Sequence, residues 1–344
     1  MKEGRVTIRD VAQLSGVSLG TASRALNRTG RVSEQTIATV TQAARQLNYQ
    51  PDAIARSLRT RTSGVVGLLV SDLANPLYAQ IITAAETVLQ EAGYLLLVAS
   101  THNERKREAT LIDLFRSRRV DGLILGPCES ESNELIERLS RNLPIVALDR
   151  EFGAESTGVQ VDHFSGALQA TEYLLNLGHR RIALLTPAAN LRTGRERIAG
   201  FRQAYDRHGL HPVEKLIRCE QSAMKFAFSE AMSLMSMADS PTAFVCLGTR
   251  ILSGVLQAIR QKGHEIPTQI SVICIGDTDL SELFHPSITS LSWNLDVLGM
   301  CAAQLLLKQF DQSAGNREGE RILIKTQLVL RESCGALPMT HENG

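Results

Sequence analysis

No stretch of about 18 apolar residues occurs in the 344-residue chain, so it carries no signal for a transmembrane helix. The opening MKEGRVTIRD lacks the apolar core of a secretory signal, which makes the cytoplasm the expected location and leaves no role for a membrane. Cysteine is sparse: Cys128, Cys219, Cys246, Cys274, Cys301 and Cys334 are far apart, with no Cys-x-x-Cys pair. A disulfide framework or a zinc site would need closer spacing or neighbouring histidines, so neither is expected. Cys246 and Cys274 instead lie in the apolar runs FVCLG and VICIG, where a free thiol behaves as a small buried hydrophobe. The phosphate-cradling G-x-x-x-x-G-K-[ST], a G-x-G-x-x-G behind a strand and the zinc-binding H-E-x-x-H are all missing. His163 stands beside Asp162, but sequence neighbours do not make a triad, and a lone surface histidine is the simpler reading. These absences argue against an enzyme and against any cofactor or metal.

Net charge is also scarce, at +1, but it is unevenly spread. Residues 1–62 carry ten Lys/Arg against four acids, a charge of +6, and the remainder carries −5. A basic head that meets a polyanion, joined to an acidic body that does not, would produce this asymmetry. The 43% hydrophobic and 21% charged content describes a globular protein with a sizeable core, and the length implies more than one folding unit.

The head reads as three short helices. Thr7 can cap the first, in which Ile8, Val11, Ala12 and Ser15 share one face. Gly16-Val17 makes a tight turn, and Ser18 caps a second helix with Ala22, Ala25 and Leu26 inward. Ser33 caps a third with Ile37, Val40, Ala44 and Leu47 inward. Alanines at Ala12, Ala22 and Ala25 let two helices cross closely, which frees the second helix to enter a major groove of DNA.

The run TIRDVAQLSGVSLGTASRALNRTGRVSEQTIATVTQAARQLNYQPDAIARSLRT resembles the head of the lactose-repressor/galactose-repressor family over about sixty residues. The matching features are DVA, the GVS turn, the T-x-S-R recognition helix, VS before the third helix, and LNYxP followed by ARSL. The resemblance implies DNA contacts from Thr7, Ser18, Leu19, Gly20, Thr21, Ser23, Arg24 and Asn27. Arg24 suits bidentate pairing with guanine, whereas Leu19 and Gly20 can offer only apolar contact or none. Pro51–Leu58 resembles the family's hinge helix, adding Ala55, Arg56, Leu58 and Arg59, with Leu58 as the minor-groove wedge. Eight residues make too short a helix to persist alone, so it should order only when paired and on DNA.

From Gly64 onward, apolar runs alternate with amphipathic stretches. GVVGLLVS, YLLLVAS, GLILGP and PIVALD form one series, and RRIALLTP, EKLIRCE, TAFVCLG and SVICIG a second. Apolar runs without strict alternation read as strands buried on both faces of parallel sheets, so the body should be two doubly wound lobes. VDGLILGP, LGHRRIALLTP, RxxGFRQAY and PTAFVCLG resemble the body of the same family, which shares its fold with periplasmic sugar-binding proteins. The expected fold class is α/β: an N-terminal all-α helix-turn-helix head plus hinge helix, then two doubly wound parallel-sheet lobes.

The expected domains are a DNA-binding head at 1–50, hinge and linker at 51–62, and an effector-binding and dimerisation domain at 63–334, with a tail at 335–344. Lobe 1 takes about 63–161 and 293–320, and lobe 2 about 162–292 and 321–334. The family resemblance implies chain crossings near Val161-Asp162, near Ser292-Trp293 and near 318–323, and makes Arg321–Leu330 a strand of the second lobe. Operator half-sites imply a homodimer, with contacts near Ala79–Ala92 and Leu111–Arg118. The tail GALPMTHENG has no heptad pattern, which gives no support for a tetramerising coiled coil.

Such sheets bind ligands at the C-terminal ends of their strands. The effector candidates there are Ser71, Asp72, Asn75, Tyr78 and Asp149 from the first lobe, with Arg150 beside them. Arg197, Thr249, Arg250 and Asp277 come from the second, and Trp293 from a crossing. Arg197 matches the family's effector-binding arginine in R-x-x-G-F. The family's usual Asn-Asp is here Gly248-Thr249-Arg250, and its Gly-aromatic-Asp is Cys274-Ile275-Gly276 followed by Asp277. Two carboxylates that commonly hold sugar hydroxyls are thus missing or displaced, and Arg250 adds a positive charge. The effector is expected to be a sugar or an anionic sugar acid or phosphate; a degenerate pocket is the alternative. A solute-binding protein of the same body fold would lack the basic head.

Overall fold

The structure, a computed structural model, describes residues 6–49, 62–128, 136, 139–153, 156–187, 189–220, 223–312 and 319–337, with Thr249 described by its backbone alone. The chain divides into two compact units, Met1–Ser63 and Gly64–Gly344. The proposed hinge helix Pro51–Leu58, with Ala55, Arg56, Leu58 and Arg59, lies outside the described residues.

The first unit holds α1 (Ile8–Leu14), α2 (Leu19–Asn27) and α3 (Glu34–Gln46). Polar side chains close the open N-terminal amides. The Asp10 carboxylate accepts from the Thr7 backbone N–H and hydroxyl, both at 2.8 Å. Ser18 Oγ accepts from Thr21 N at 3.1 Å, and Ser33 Oγ from Thr36 N at 3.3 Å. Each such cap contributes about 1 kcal/mol, a large share for so small a unit. Gly16, at φ +67°, makes the turn between α1 and α2. The core is Val11, Ala12, Ala22, Ala25, Val40, Ala43 and Ala44, with Ile8, Val17, Leu26, Ile37 and Leu47 half-buried around it.

The second unit contains two six-stranded sheets. The first comprises β1 (Val65–Val70), β2 (Leu95–Ser100), β3 (Gly122–Leu125), β4 (Ile145–Leu148), β5 (Gly158–Val161) and β11 (Arg321–Ile324), in the order β11-β5-β4-β3-β1-β2. All its pairings are parallel. The second comprises β6 (Ile182–Leu185), β7 (Ile217–Arg218), β8 (Ala243–Leu247), β9 (Ser271–Ile275), β10 (Thr289–Ser292) and β12 (Gln327–Val329), in the order β12-β10-β9-β8-β6-β7. Here only the β10–β12 pairing is antiparallel. In the first lobe the covering helices are α4 (Pro76–Glu91), α5 (Arg105–Ser117) and α11 (Leu295–Phe310). In the second they are α6 (His163–Asn176), α7 (Arg192–Arg207), α8 (Met224–Met235), α9 (Gly248–Lys262) and the short α10 (Asp279–Leu283). Residues on β1, β3, β4 and β5 and on β6, β8 and β9 are almost all buried, as strands covered on both faces must be.

Two expectations need correction. EKLIRCE is not a full strand: Glu214–Leu216 is a 3-10 turn and only Ile217–Arg218 pairs, at the sheet edge beside β6. Nor is Arg321–Leu330 one strand of the second lobe. Its first half, β11, pairs parallel with β5 in the first sheet, and its second half, β12, pairs with β10 in the other. The third crossing therefore falls at Lys325-Thr326, and 321–324 belong to the first lobe. Both halves are short, partly exposed edge strands, a pattern that fits either sheet and so could not assign them.

Candidate DNA-binding face and ligand cleft

On α2, Ala22 and Ala25 point into the head core, which leaves the opposite side outward. There Leu19 is 45% exposed, and Ser18, Gly20 and Arg24 are exposed beside it. Arg24 Nε donates to the Gly20 carbonyl at 3.2 Å, and Asn27 Nδ2 to the Ser23 carbonyl at 2.7 Å. These bonds lay both side chains along the helix. Thr21 is half-buried, its hydroxyl 2.9 Å from Ser18 Oγ. The five residues Gly16–Gly20 also spell the G-x-S-x-G of a nucleophile elbow. Among the described residues no strand precedes them, and Ser18 Oγ is committed to Thr21, so this serine is a helix cap.

In the body, a cavity of about 730 Å³ lies between the C-terminal strand ends of the two lobes. Ser71, Asp72, Asn75, Tyr78, Asp149, Arg197, Arg250 and Trp293 all line it. Some of these are already engaged. Asn75 Oδ1 accepts from Leu77 N at 3.1 Å and caps α4, while Ser71 Oγ and Tyr78 Oη stand 3.0 Å apart. Arg150 is buried and donates to the Pro127 carbonyl at 2.7 Å and to Asn103 Oδ1 at 2.9 Å, tying together loops of the first lobe. Of Thr249 only the backbone is described, within the first turn of α9.

Asp277 is a correction. Its two carboxylate oxygens each accept from the Arg331 guanidinium at 2.9 Å, and it does not line the cavity. A bidentate partner arriving from the segment after β12 turns this carboxylate aside, a contact invisible in the local sequence.

His163 is a second correction. It is 2% exposed, not a surface residue. The first residue of α6, it meets Asp149 from the end of β4, with Nε2 at 2.9 and 3.1 Å from the two carboxylate oxygens. An ionised carboxylate only accepts, so Nε2 carries the proton and Nδ1 accepts from Arg197 Nη2, at 3.1 Å. Trp293 sets its ring edge against the imidazole, centroids 5.7 Å apart at 90°. Arg192 adds a donor to the Val161 carbonyl at 2.9 Å, lies 3.6 Å from Asp149 and pairs with Glu196. The result is a chain Asp149–His163–Arg197 running from one lobe to the other, half-buried at Asp149 and buried at His163 and Arg197.

Its electrostatics follow from burial. Burial, then the neighbouring Arg197 charge, push the His163 pKa down to about 4, against the pull of Asp149. Burial raises the Asp149 carboxyl, but His163, Arg192 and Arg197 together bring it below its usual value. Burial also lowers Arg197 to about 10, so it stays charged at neutral pH. The chemistry is that of orientation: a neutral imidazole holds one guanidinium, 4% exposed, at the cavity wall.

A pH dependence follows. In the unfolded chain His163 titrates near 6.5, and in the fold near 4. Between those values the unfolded state binds the extra proton, so stability is full above about pH 6.5 and falls as pH drops toward 4. The loss attached to this group is about 3 kcal/mol. Burial depresses His179 as well, with the same sign. Urea unfolding at pH 7, 5.5 and 4.5 should show a slope that is shallower in His163→Gln but not abolished. An unchanged slope would contradict a buried neutral His163.

Sequence reasoning missed His163 as a site residue, along with the lining residues His102, Asn103, Cys128 and Glu220. All five sit just past C-terminal strand ends, and that positional signal could have found them.

Comparison with known proteins agrees with both parts. Residues 7–52 match the family of bacterial regulatory proteins, lacI family, and 171–334 match a periplasmic binding protein-like domain. The HTH-type transcriptional repressor PurR of Histophilus somni (strain 129Pt) is 32% identical over 339 residues, covering 96% of this chain and 99% of that protein. The PurR of Photobacterium profundum is 31% identical over 332 residues, covering 95% and 98%. Among solved structures, the lac repressor dimer bound to operator and the anti-inducer ONPF aligns at TM-score 0.85 and 26% identity, over 97% of this chain and 100% of that one. The regulator CelR in complex with cellobiose aligns at 0.72 and 27%, over 96% and 100%. Among the described residues no helix is long and apolar enough to cross a membrane. With a capped three-helix head and a two-lobed parallel-sheet body matched along almost its whole length, the chain belongs to the lacI family of bacterial regulatory proteins and is a DNA-binding transcriptional repressor, not an enzyme.

Proposed function

We propose that the chain binds a palindromic operator as a homodimer and is controlled by a small-molecule effector, a sugar or sugar acid, in the cleft between the lobes. Residues 1–50 would read DNA, 51–62 would form the hinge, and 63–334 would bind effector and dimerise. The observation that carries the effector reading is the cavity of about 730 Å³ with the buried Arg197 guanidinium in its wall. That volume suits a small ligand, and a fixed fork of donors suits vicinal hydroxyls or a carboxylate. Related structures hold cellobiose and ribose. Arg250 is paired with Asp72, so an anionic preference now rests on Arg197 rather than on a spare charge at Arg250. Effector binding would change the angle between the lobes and so the pairing of the hinges, shifting DNA affinity by about 1–3 kcal/mol.

The test is to select operators from random duplex DNA, then titrate the protein against them with sugars, sugar acids and nucleosides present. Palindromic enrichment and a ligand-dependent shift are expected. Selection without half-site symmetry would overturn the dimeric operator reading. A degenerate pocket is the second reading, favoured by the diversion of Asp277 to Arg331, and uniform silence across the panel would select it. Within the head, Leu19 is expected to make apolar contact with a base edge, for example a thymine methyl. Leu19→Ala should cost about 1 kcal/mol per half-site and relax preference at that base. An unchanged selected sequence would refute this contact.

A further inference from the structure

Asp72 and Arg250 both line the cleft, one from each lobe, with Arg250 Nε 3.0 Å from Asp72 Oδ2. Asp72 is preset for this: its other oxygen, Oδ1, accepts from Ala74 N at 3.0 Å, which fixes the carboxylate just past β1. Arg250 projects from the first turn of α9, just past β8. The pair stands far from the points where the chain crosses. Between β1 and the crossing strand β5 lie β4 and β3, so the lever is three strand spacings, roughly 14 Å. Near the crossing a different set of contacts joins the lobes: Asp149 to His163, and Glu151 to Arg195 at 2.9 Å. Beside Trp293 the lobes also touch through apolar atoms. A Cβ on Gly276 would lie 3.0 Å from Leu77 Cδ1, so Leu77 of the first lobe rests against Gly276 of the second.

We propose that the Asp72–Arg250 ion pair is a built-in latch that holds the two lobes together across the mouth of the cleft before any effector arrives. The chain thereby supplies its own bridge at a place where a ligand would otherwise have to join the lobes. Closure then competes with anything that takes either partner: dissolved ions, or a ligand anion that exchanges Asp72 for itself on Arg250. The side chains are 29% and 47% exposed, so the latch is screened by salt and is releasable rather than permanent. The inference rests on the cleft as the regulatory site but needs neither an operator nor a known effector.

Trp293, the single tryptophan, lines the same cavity and reports its closure. Acrylamide, being uncharged, quenches its fluorescence without bias from altered charges. In the full chain without DNA or ligand, quenching should be weak at low salt and rise with sodium chloride. Asp72→Arg and Arg250→Asp should each lower the closed-to-open ratio about five-fold at low salt and remove most of the salt response. The double variant D72R/R250D restores the pair with its charges exchanged, and should return quenching and small-angle-scattering radius toward the parent values. Single variants that quench like the parent would overturn the latch, as would a double variant no better than the singles. Loss of DNA binding with quenching intact would instead fault the repressor mechanism and leave the latch standing.

Discussion

Gly200→Val is expected to destabilise the body by at least about 3 kcal/mol, seen as a fall in Tm of about 6–12 °C. Gly200 lies on α7 where it crosses α6, and a Cβ there would stand 2.2 Å from the Phe164 carbonyl oxygen and 3.0 Å from the Leu168 nitrogen. The obstacle is backbone, which cannot swing aside as a side chain can. The helices would have to separate, opening the contacts of Phe201, Ala204, Leu168 and Ala170 in the second-lobe core. The same crossing serves the site. Arg197 is three residues before Gly200, and His163 is one residue before Phe164, so the close approach brings the guanidinium onto the imidazole. Gly200→Val should therefore weaken ligand response as well as stability. Denaturation by differential scanning calorimetry checks the first effect and ligand titration the second. A Tm within two degrees of the parent, about the shift given by ~1 kcal/mol, would contradict the packing argument.

Arg197→Leu should separate the two properties. Its guanidinium is buried, and Nε has no hydrogen-bond partner among the described residues. Keeping a charge there carries a desolvation cost that burial registers by lowering its pKa to about 10. Leucine removes that cost and fills much of the space, so stability should hold or rise slightly. His163 Nδ1 then loses its donor, which offsets part of the gain. Ligand recognition behaves differently: losing a fixed, desolvated donor fork costs about 2–5 kcal/mol, or at least about thirty-fold in affinity. DNA titrations over the ligand panel should thus lose their ligand response at an unchanged or raised Tm. A variant that still responds at parental concentrations would remove Arg197 from the ligand site. One that unfolds would make its role structural.

These outcomes depend on contacts of different range. Periodicity and caps are local, so the three head helices, their inward alanines and the run of buried strands were legible from residues a few positions apart. The placement of Ser71, Asp72, Asn75, Tyr78 and Asp149 near a ligand space followed from one rule, that strand C-termini face the crevice. The buried pairing of His163 escaped because its partners lie 14 and 34 residues away, at Asp149 and Arg197. Asp277 escaped for the same reason, since Arg331 is 54 residues further on. The edge strands β11 and β12 escaped because a few half-exposed residues carry too little pattern to choose between two sheets.

Residues 7–52, with their caps, turn glycine and small crossing residues, by themselves determined a helix-turn-helix head, because each signal acts within a few bonds along the chain. The alternating apolar and amphipathic runs likewise determined a two-lobed α/β body, since burial on both faces forbids polar alternation. Only the tertiary structure decided which charges meet across the lobes: Asp149 with His163, Asp72 with Arg250, and Asp277 with Arg331. Charge pairing depends on distance in space, and folding sets that distance between residues with no relation along the sequence.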